Sequence, residues 1–475
     1  MYRQDLLRQL TEYAERGVYP FHMPGHKRNV QMLSEALPYS ADITEIDGFD
    51  DLHAPDGVLR DLHIRLAKIF GAQHSFVLVN GSTCGILAGI AAAVRRGDKI
   101  LTARNCHRSV YNAVELLGLR PAYIQPPTDA RTGISGSITP ESVQAALSVH
   151  TDVRLLVLTS PTYDGVISDV AEIVRIAHQY NIPVLVDEAH GAHLAFTKQK
   201  NLSAVYAGAD IVIHSLHKTL PALTQTAAAH LCGTRISPAV FAQKLSVFES
   251  SSPSYVLLAS AAECVRFLET HAESAFADYE NRLVQFSEKC RTLENLSVLC
   301  KGKDTLENHP AFFAFDGGKL PIVTVRTVLD GASLLRELRT KYAIEGEMAA
   351  RSYALLMTSV CDTDAGFRRL WEALAAIDGT AETAEKSPVF QTPILPEMHC
   401  IPADAEGRGT RQCRLSESVG KISAETVLCY PPGIPSVVPG EVITAEIAEE
   451  IENARRHGLF VRTSGRNLPY IAVFD

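Results

Sequence analysis

Two side chains of opposite charge follow apolar, strand-like segments, and their positions indicate covalent chemistry. Asp187 ends the apolar run at 184–186, and Lys218 follows the apolar run at 211–213, one strand–helix–strand step later. A carboxylate that ends an apolar strand needs a partner, because an unpaired buried charge is costly. Burial of a lysine lowers the pKa of its amine, which then becomes a nucleophile for an aldehyde. The pair therefore predicts a site that binds a carbonyl compound covalently.

The segment 187–193, DEAHGAH, also fits two other kinds of site. Residues 187–190, DEAH, match the acidic box of nucleic-acid helicases, and the two histidines of the segment could serve as metal ligands. The helicase interpretation requires a phosphate loop of the form GxxxxGK[ST], and the sequence contains none. The metal interpretation needs a third ligand, and His214 and His217 stand at no established spacing for that role. The sequence therefore favours a different task for Asp187.

Two further polar segments follow predicted strands. Gly81, Ser82 and Thr83 lie between a strand and a helix, where amides and hydroxyls suit a phosphate, although an ordinary helix cap is equally compatible. His107 follows the strand segment DKILTA and can face a cleft, although a lone histidine is more often structural. A lysine, an acid, a phosphate cradle and a planar cover are the four groups that pyridoxal phosphate needs. The sequence therefore predicts a site for this cofactor.

The elements that must position these residues alternate between strand and helix from about residue 60 to 230. Strands that are apolar throughout predict a parallel sheet covered on both faces, with ligands at the carboxyl ends of its strands. A mainly helical region follows from about 241 to 300, and a second α/β unit runs from about 322 to 380. Residues 385–397 are rich in proline and polar residues and are predicted to be a linker.

The composition limits the function classes. The chain has 475 residues, which is enough for two to three domains, and its 46% hydrophobic and 21% charged residues are typical of a soluble globular protein. A net charge of −9 without a basic block argues against a nucleic-acid or charge-driven membrane partner. The N-terminus lacks the apolar core of a signal peptide, and the cysteines form no CxxC pair. We therefore expect a cytoplasmic protein with no nucleic-acid or membrane partner and no metal.

The sequence resembles the bacterial ornithine/lysine/arginine decarboxylases. Matching segments run in family order from near the start to near the end of the chain. These segments are FHMPGHK (21–27), DITEIDGFDDLHAPDG (42–57), NGSTCG (80–85), RNCHRS (104–109), PTYDG (161–165), DEAHGAH (187–193), SLHKTLPALTQTA (215–227), SSPSY (251–255) and YPPGIPSVVPGE (430–441). Their number and order make the resemblance far more specific than any one motif.

The resemblance implies an α/β architecture, namely the pyridoxal-phosphate-dependent transferase fold type I. In this fold a large domain has a mainly parallel seven-stranded sheet flanked by helices, and smaller α/β C-terminal domains follow. The expected division is an N-terminal arm and dimer-contact segment at 1–60, a cofactor-binding domain at 61–310, a small α/β domain at 311–384 and a C-terminal domain at 385–475. The chain resembles the short form, which lacks an N-terminal receiver-like domain, and a homodimer or homotetramer with shared active sites is expected.

The resemblance also implies roles around the cofactor ring. Lys218 would carry the cofactor as an imine, and Asp187 would pair with the ring nitrogen. His107 would stack on the ring, and His190 would contact the 3-oxygen of the ring. His217 or Lys218 would return a proton to the substrate carbon.

The remaining implied roles concern the phosphate and the substrate. Ser252 would reach the phosphate of the neighbouring subunit. Glu347, in the loosely matching segment EGEMAARSY (345–353), would bind the distal cation of the substrate. The residues expected to hold the phosphate within the chain are Ser82, Thr83, Ser215 and His217.

The implied reaction is decarboxylation of arginine, lysine or ornithine to an amine and carbon dioxide, which would feed polyamine synthesis. Two alternatives remain. An aminotransferase or aldolase of the same fold would use an arginine such as Arg326 or Arg351 for the substrate carboxylate, but neither lies in a matching segment. A non-catalytic, decarboxylase-like regulator usually lacks the lysine or the ring-pairing acid, and both are present here.

Overall fold

The structure is a computed structural model that describes residues 5–16, 38–300, 303–386, 388–405, 407–429, 433–456, 461–465 and 468–474. The matching segment FHMPGHK at 21–27 and residues 430–432 of the segment YPPGIPSVVPGE lie outside the described residues. Among the residues of the predicted linker that are described, 388–397 contain neither helix nor strand.

Strands and helices alternate over the first half of the described chain, as the sequence predicts. The strands are β1 (His74–Leu78), β2 (Lys99–Ala103), β3 (Arg120–Ile124), β4 (Val153–Thr159), β5 (Val166–Ile167), β6 (Val184–Asp187), β7 (Ile211–His214), β8 (Ala227–Leu231), β9 (Ser297–Val298), β10 (Ala314–Phe315), β11 (Lys319–Val323), β12 (Met348–Ala349), β13 (Tyr353–Met357), β14 (Thr410–Arg414), β15 (Val427–Cys429), β16 (Ile434–Val437), β17 (Val461–Thr463) and β18 (Tyr470–Phe474). The helices are α1 (Leu6–Glu15), α2 (Val58–Phe70), α3 (Gly81–Ala93), α4 (Arg108–Leu116), α5 (Pro140–Val149), α6 (Val170–Gln179), α7 (Leu216–Thr219), α8 (Pro238–Phe248), α9 (Tyr255–Cys290), α10 (Lys303–Asn308), α11 (Gly331–Tyr342), α12 (Asp364–Asp378), α13 (Pro402–Ala405) and α14 (Ala445–Arg456).

The principal sheet has seven strands in the order β1-β8-β7-β6-β4-β2-β3. Strand β2 pairs in parallel with β3 and β4, and β6 pairs in parallel with β7. Strand β8 is antiparallel to both β7 and β1. The predicted mainly parallel, seven-stranded sheet is therefore confirmed. Sequence reasoning missed β8, whose short alanine-rich run resembles a helix as much as a strand.

The chain forms two compact units, one comprising Met1–Ala93 with Pro183–Phe276 and the other Val94–Ile182 with Ala277–Asp475. The four-part domain division expected from the sequence stays a prediction. Among the described residues, no helix is long and apolar enough to cross a membrane.

In the first unit, helix α3 packs closely on the sheet, and this contact sets the position of its N-terminal turn. The helix is apolar around most of its circumference, and most of its residues are buried. A Cβ atom at Gly89 would lie 2.7 Å from Leu185 Cδ1 and 3.3 Å from Ile211 Cγ2. The absent side chain at this position lets the helix approach β6 and β7, the strands that precede Asp187 and Lys218.

In the second unit, a four-stranded sheet with the order β12-β13-β11-β9 packs with α11 and α12 around an apolar cluster that includes Ile322, Leu338 and Leu374. The structure thus bears out a second α/β region between about 322 and 380. The C-terminal part contains the pair β14-β18 and the sheet β16-β15-β17, and α14 contributes Ile447 and Ile451 to their shared core.

The close approach of α3 predicts that Gly89→Ala lowers the free energy of unfolding, by about 1–3 kcal/mol, because the added methyl group overpacks the helix–sheet contact. Gly366→Ala in α12 is the matched control. The nearest atom to a Cβ there is Thr363 Oγ1 at 3.7 Å, so alanine should raise stability by about 0.5–1 kcal/mol. Urea denaturation measures both values, and equal effects of the two substitutions would contradict the packing argument.

Candidate active site

Asp187 ends β6 and is buried, with 3% of its surface exposed. Its Oδ1 accepts a hydrogen bond from the backbone N–H of Ala189 at 3.1 Å. Burial raises the pKa of this carboxyl above its usual value, and the nearby positive charge of Lys218 opposes the rise only in part. The buried carboxylate of Asp187 would therefore be stabilised by a cationic partner.

Lys218 lies in the short helix α7, directly after β7. Its Nζ atom is 2.9 Å from Nε2 of His190. The structure thus joins the DEAHGAH segment to the lysine segment, as the sequence predicts. His190 thus contacts the lysine amine, and its expected contact with the 3-oxygen of the ring stays a prediction.

The tautomer of His217 follows from its contact with the backbone. Its Nδ1 atom lies 2.8 Å from the carbonyl oxygen of Thr226, and because a carbonyl oxygen only accepts, Nδ1 carries the proton. Burial lowers the pKa of His217, the nearby Lys218 lowers it further, and the contact with Thr226 opposes both. Neutral His217 therefore keeps Nε2 as an acceptor.

Ser215 fits the expected phosphate cradle. The residue precedes α7 and is fully buried, yet its Oγ atom has no hydrogen-bond partner among the described residues. An unsatisfied buried hydroxyl costs about 1–3 kcal/mol, which an acceptor such as a phosphate oxygen would remove. The residues present therefore fit the phosphate of pyridoxal phosphate.

Ser82 and Thr83 lie in the first turn of α3, half-buried and exposed respectively. The N–H of Gly81 donates to the carbonyl oxygen of Gln225 at 2.9 Å, which connects the start of α3 to the segment that follows Lys218. Gln225 has a φ of 86°, a conformation that non-glycine residues rarely adopt. A strained residue thus links the two segments expected to bind the cofactor.

Two other matching segments of the first unit contact each other. The hydroxyl of Tyr255 donates to the carbonyl oxygen of Phe49 at 3.0 Å, and Nε2 of His53 lies 2.8 Å from the carbonyl oxygen of Ser250. Ser252 itself is exposed. The segments 42–57 and 251–255 are therefore joined, whereas the role expected for Ser252 stays a prediction.

In the second unit, His107 precedes α4 and is half-buried. The backbone N–H of Ser109 donates to Nδ1 of His107 at 3.3 Å, so this ring nitrogen acts as an acceptor. Glu347 is exposed and accepts a hydrogen bond from the hydroxyl of Tyr163, in the matching segment PTYDG. The loosely matching segment 345–353 is thus bonded to a closely matching one.

Sequence reasoning missed a buried polar chain behind the strand ends. Glu188, His214 and His230 are completely buried, and Ser75 is 4% exposed. Their side chains are linked in that order by contacts of 2.7, 3.0 and 2.7 Å. The available signal was the second acid of DEAH together with two histidines inside apolar strands. Within the described part of the chain, no cluster of three or more potential metal ligands is present.

The burial of Asp187 predicts a stability effect in the protein without cofactor. Asp187→Asn should raise the free energy of unfolding at pH 7. Burial raises the pKa of Asp187 in the folded protein, so an ionised Asp187 destabilises the fold. This cost grows as pH rises above the pKa of the unfolded chain, and asparagine removes it. Asp210→Asn, the matched control, should lower the free energy of unfolding by up to about 1 kcal/mol, because the substitution removes the charge that the buried Asp210 Oδ1 presents to Arg235 Nη1 at 3.5 Å, while an oxygen remains to accept from the N–H of Val184. Urea denaturation of both variants checks the signs, and destabilisation by Asp187→Asn would contradict the argument.

Comparisons with known proteins identify the family. The sequence profile of the Orn/Lys/Arg decarboxylase major domain matches residues 5–319, and that of the family's C-terminal domain matches residues 384–456. Arginine decarboxylase of Bacillus subtilis is 35% identical over 449 residues, covering 92% of this chain and 90% of that protein.

Solved structures agree on the fold. Lysine decarboxylase LdcF of Francisella novicida superposes with a TM-score of 0.85 at 20% identity, covering 99% of this chain and 81% of that one. A more distant structure, SPT with PLP, has a TM-score of 0.51 at 14% identity and covers 68% of this chain and 76% of that one. The chain belongs to the Orn/Lys/Arg decarboxylase family, and the fold, the cofactor and the enzyme class predicted from its sequence, a pyridoxal-phosphate-dependent amino-acid decarboxylase, are confirmed.

Proposed function

We propose that the protein decarboxylates arginine to its amine and carbon dioxide, with lysine and ornithine as weaker substrates. The observation that carries the proposal is the 2.9 Å contact between Lys218 Nζ and His190 Nε2 next to the buried acid Asp187. The name of the Bacillus subtilis relative, an arginine decarboxylase, supports arginine as the substrate.

Asp187 provides the electrostatic half of the mechanism. Pyridoxal phosphate, when bound, supplies an electron sink for the pair released as the bond to the carboxylate breaks. A protonated ring nitrogen strengthens this sink, and the buried carboxylate of Asp187 favours that proton because its own charge is unfavourable without a cation.

Lys218 and His190 provide the covalent half. An ammonium group is no nucleophile, so the lysine must lose a proton before it attacks an aldehyde. Nε2 of His190 lies within hydrogen-bond distance of Nζ and can accept that proton. We assign His190 this role in addition to its expected contact with the 3-oxygen of the ring.

The proton returned to the substrate carbon comes, in this proposal, from Lys218 rather than His217. His217 carries its proton on Nδ1, which is bonded to Thr226, and donation from Nε2 would require the doubly protonated ring. The lowered pKa of His217 opposes that form. A lysine amine that the substrate has displaced is readily protonated and thus suited to donate.

The remaining roles keep the form in which the family resemblance implies them. We propose His107 as the residue that stacks on the ring, Glu347 as the partner of the substrate's distal cation, and Ser252 as a contact to the phosphate in a neighbouring subunit. We propose Ser82, Thr83 and Ser215 as the residues that hold the phosphate. His217, expected in the same role, could donate to a phosphate oxygen only as the doubly protonated ring, because its Nδ1 proton is bonded to Thr226. A homodimer in the cytoplasm that supplies an amine for polyamine synthesis completes the proposal.

The central test is Lys218→Ala. Loss of the only group proposed to bind the aldehyde covalently should abolish the near-visible absorbance of the bound cofactor and reduce carbon dioxide release from arginine by at least about 10³-fold. Lys289→Ala, at an exposed lysine of α9, is the control and should retain both signals. Release is measured with arginine, lysine and ornithine. A yellow wild-type protein that releases carbon dioxide from none of the three would refute the proposed function.

A second test concerns the phosphate. Ser215→Ala should weaken the affinity for pyridoxal phosphate by about 10–100-fold, because a hydrogen bond to a charged group contributes about 1.5–3 kcal/mol. Ser418→Ala is matched for burial, since its hydroxyl is also buried and donates to the carbonyl oxygen of Leu415, and it should leave the affinity unchanged. Cofactor titration followed by absorbance measures both. An unchanged affinity in Ser215→Ala would show that Ser215 does not bind the phosphate.

A further inference from the structure

A continuous chain of polar side chains runs from the residue after β6 across β7, β8 and β1 in the interior of the first unit. Glu188 Oε2 lies 2.7 Å from His214 Nε2, His214 Nδ1 lies 3.0 Å from His230 Nε2, and His230 Nδ1 lies 2.7 Å from Ser75 Oγ. The ring of Phe70 packs on both histidines, with centroid distances of 4.9 and 4.6 Å. An apolar surface thus encloses groups that normally require water or a charged partner.

Donors and acceptors along this chain can be arranged in two ways. If Glu188 is the neutral acid, its O–H donates to His214, His214 donates to His230, and His230 donates to Ser75, all four groups being uncharged. If Glu188 is ionised, every bond reverses and a net negative charge is buried. Burial raises the pKa of Glu188 to about 8 and lowers that of His214 to about 3, so both are neutral between these values. The geometry and the burial therefore favour the uncharged arrangement.

Glu188 also fixes the segment that leads away from the strand end. Its Oε1 accepts from the N–H of Ala204 and its Oε2 accepts from the hydroxyl of Ser203, both at 2.9 Å. The loop closed by these bonds contains His190, which contacts Lys218. His214, the partner of Glu188, ends β7 four residues before Lys218.

We propose that Glu188, as a neutral acid, and His214 are a positioning pair that holds Asp187 and Lys218 in register for cofactor binding. Glu188 follows Asp187 directly, and His214 ends the strand before Lys218, so their contact links the two strand ends that carry the cofactor's partners. Neither residue needs to touch the cofactor. The inference rests on the proposed function, because it assumes that Asp187 and Lys218 bind pyridoxal phosphate.

Several titratable groups face Glu188 besides its partner. His193 would favour the ionised form of the carboxyl, and an ionised Glu188 would help to raise the pKa of the Cys232 thiol, beyond the end of β8. His230 lies beyond His214, and burial lowers its pKa well below the usual value. All of these groups can contribute to a pH profile. The test therefore compares variants that differ only at position 188.

The first experiment uses the full-length protein loaded with pyridoxal phosphate. Glu188→Gln retains one acceptor for Ala204 and places a donor opposite His214, so the cofactor affinity and the pH profile of its absorbance should match the wild type. Glu188→Ala and His214→Phe should weaken the affinity by about tenfold and shift that pH profile, because the strand ends lose their link. Glu425→Gln, a buried carboxyl of the second unit that accepts from the N–H groups of Gly465 and Ala472, is the control and should change neither signal. Wild-type behaviour of Glu188→Ala, or an equal loss in Glu188→Gln, would overturn the proposal.

The second experiment needs no cofactor. The pKa of Glu188 is about 8 in the folded protein and 4.5 in the unfolded chain. Between these values the folded protein keeps a proton that the unfolded chain has released. The free energy of unfolding therefore falls as pH rises towards 8 and is constant above it. Between about pH 6.5 and 8, where unfolded histidines are mostly neutral, the urea midpoint should fall less in Glu188→Gln than in the wild type. An identical decline of the urea midpoint in both proteins would contradict the proposal that Glu188 is a neutral acid. A wild type that binds no cofactor would instead refute the proposed function, while this measurement would still decide the state of Glu188.

Discussion

The burial of two adjacent carboxyl groups at the end of β6 is the constraint on which the site depends. Asp187 and Glu188 are both almost completely removed from water, and burial raises the pKa of both. Two ionised carboxylates in such a place would repel each other and lack hydration. The structure gives them different partners: a lysine charge acts on Asp187, whereas Glu188 is bonded to a neutral histidine. One acid is thereby available to a cationic ring, and the other is not.

This division of tasks follows from the alternation of side chains along a strand. Consecutive residues at a strand end point to opposite sides, so Asp187 and Glu188 face different surroundings although they are neighbours in sequence. On the side of Glu188, the histidines of β7 and β8 continue the polar chain to Ser75 of β1. The antiparallel strand β8 is essential here, because it places His230 between β7 and β1.

The sequence was sufficient to predict the parallel part of the sheet, and it indicated the loops whose residues are predicted to bind the cofactor. Apolar runs locate β2, β4, β6 and β7, and the polar residues after them are those predicted to bind the cofactor; both patterns are local properties of the chain. The contact between His190 and Lys218 was not predicted, because the sequence analysis assigned His190 to the 3-oxygen of the ring. The Glu188–His214 pair was not predicted either, since a single sequence does not state which residues of neighbouring strands lie opposite each other. Likewise, the bond from Tyr163 to Glu347 depends on two segments far apart in the chain.

The two histidine contacts of the site differ in what they allow a proton to do. Lys218 is only half-buried, so a proton on its amine, 2.9 Å from His190 Nε2, can be exchanged with solvent. Glu188 and His214 are inaccessible, and ionisation of Glu188 would bury a charge and reverse two further hydrogen bonds. A proton in the second pair is therefore held rather than transferred. Both histidines are buried, but His190 contacts a lysine that solvent reaches, whereas His214 contacts a carboxyl that apolar packing surrounds.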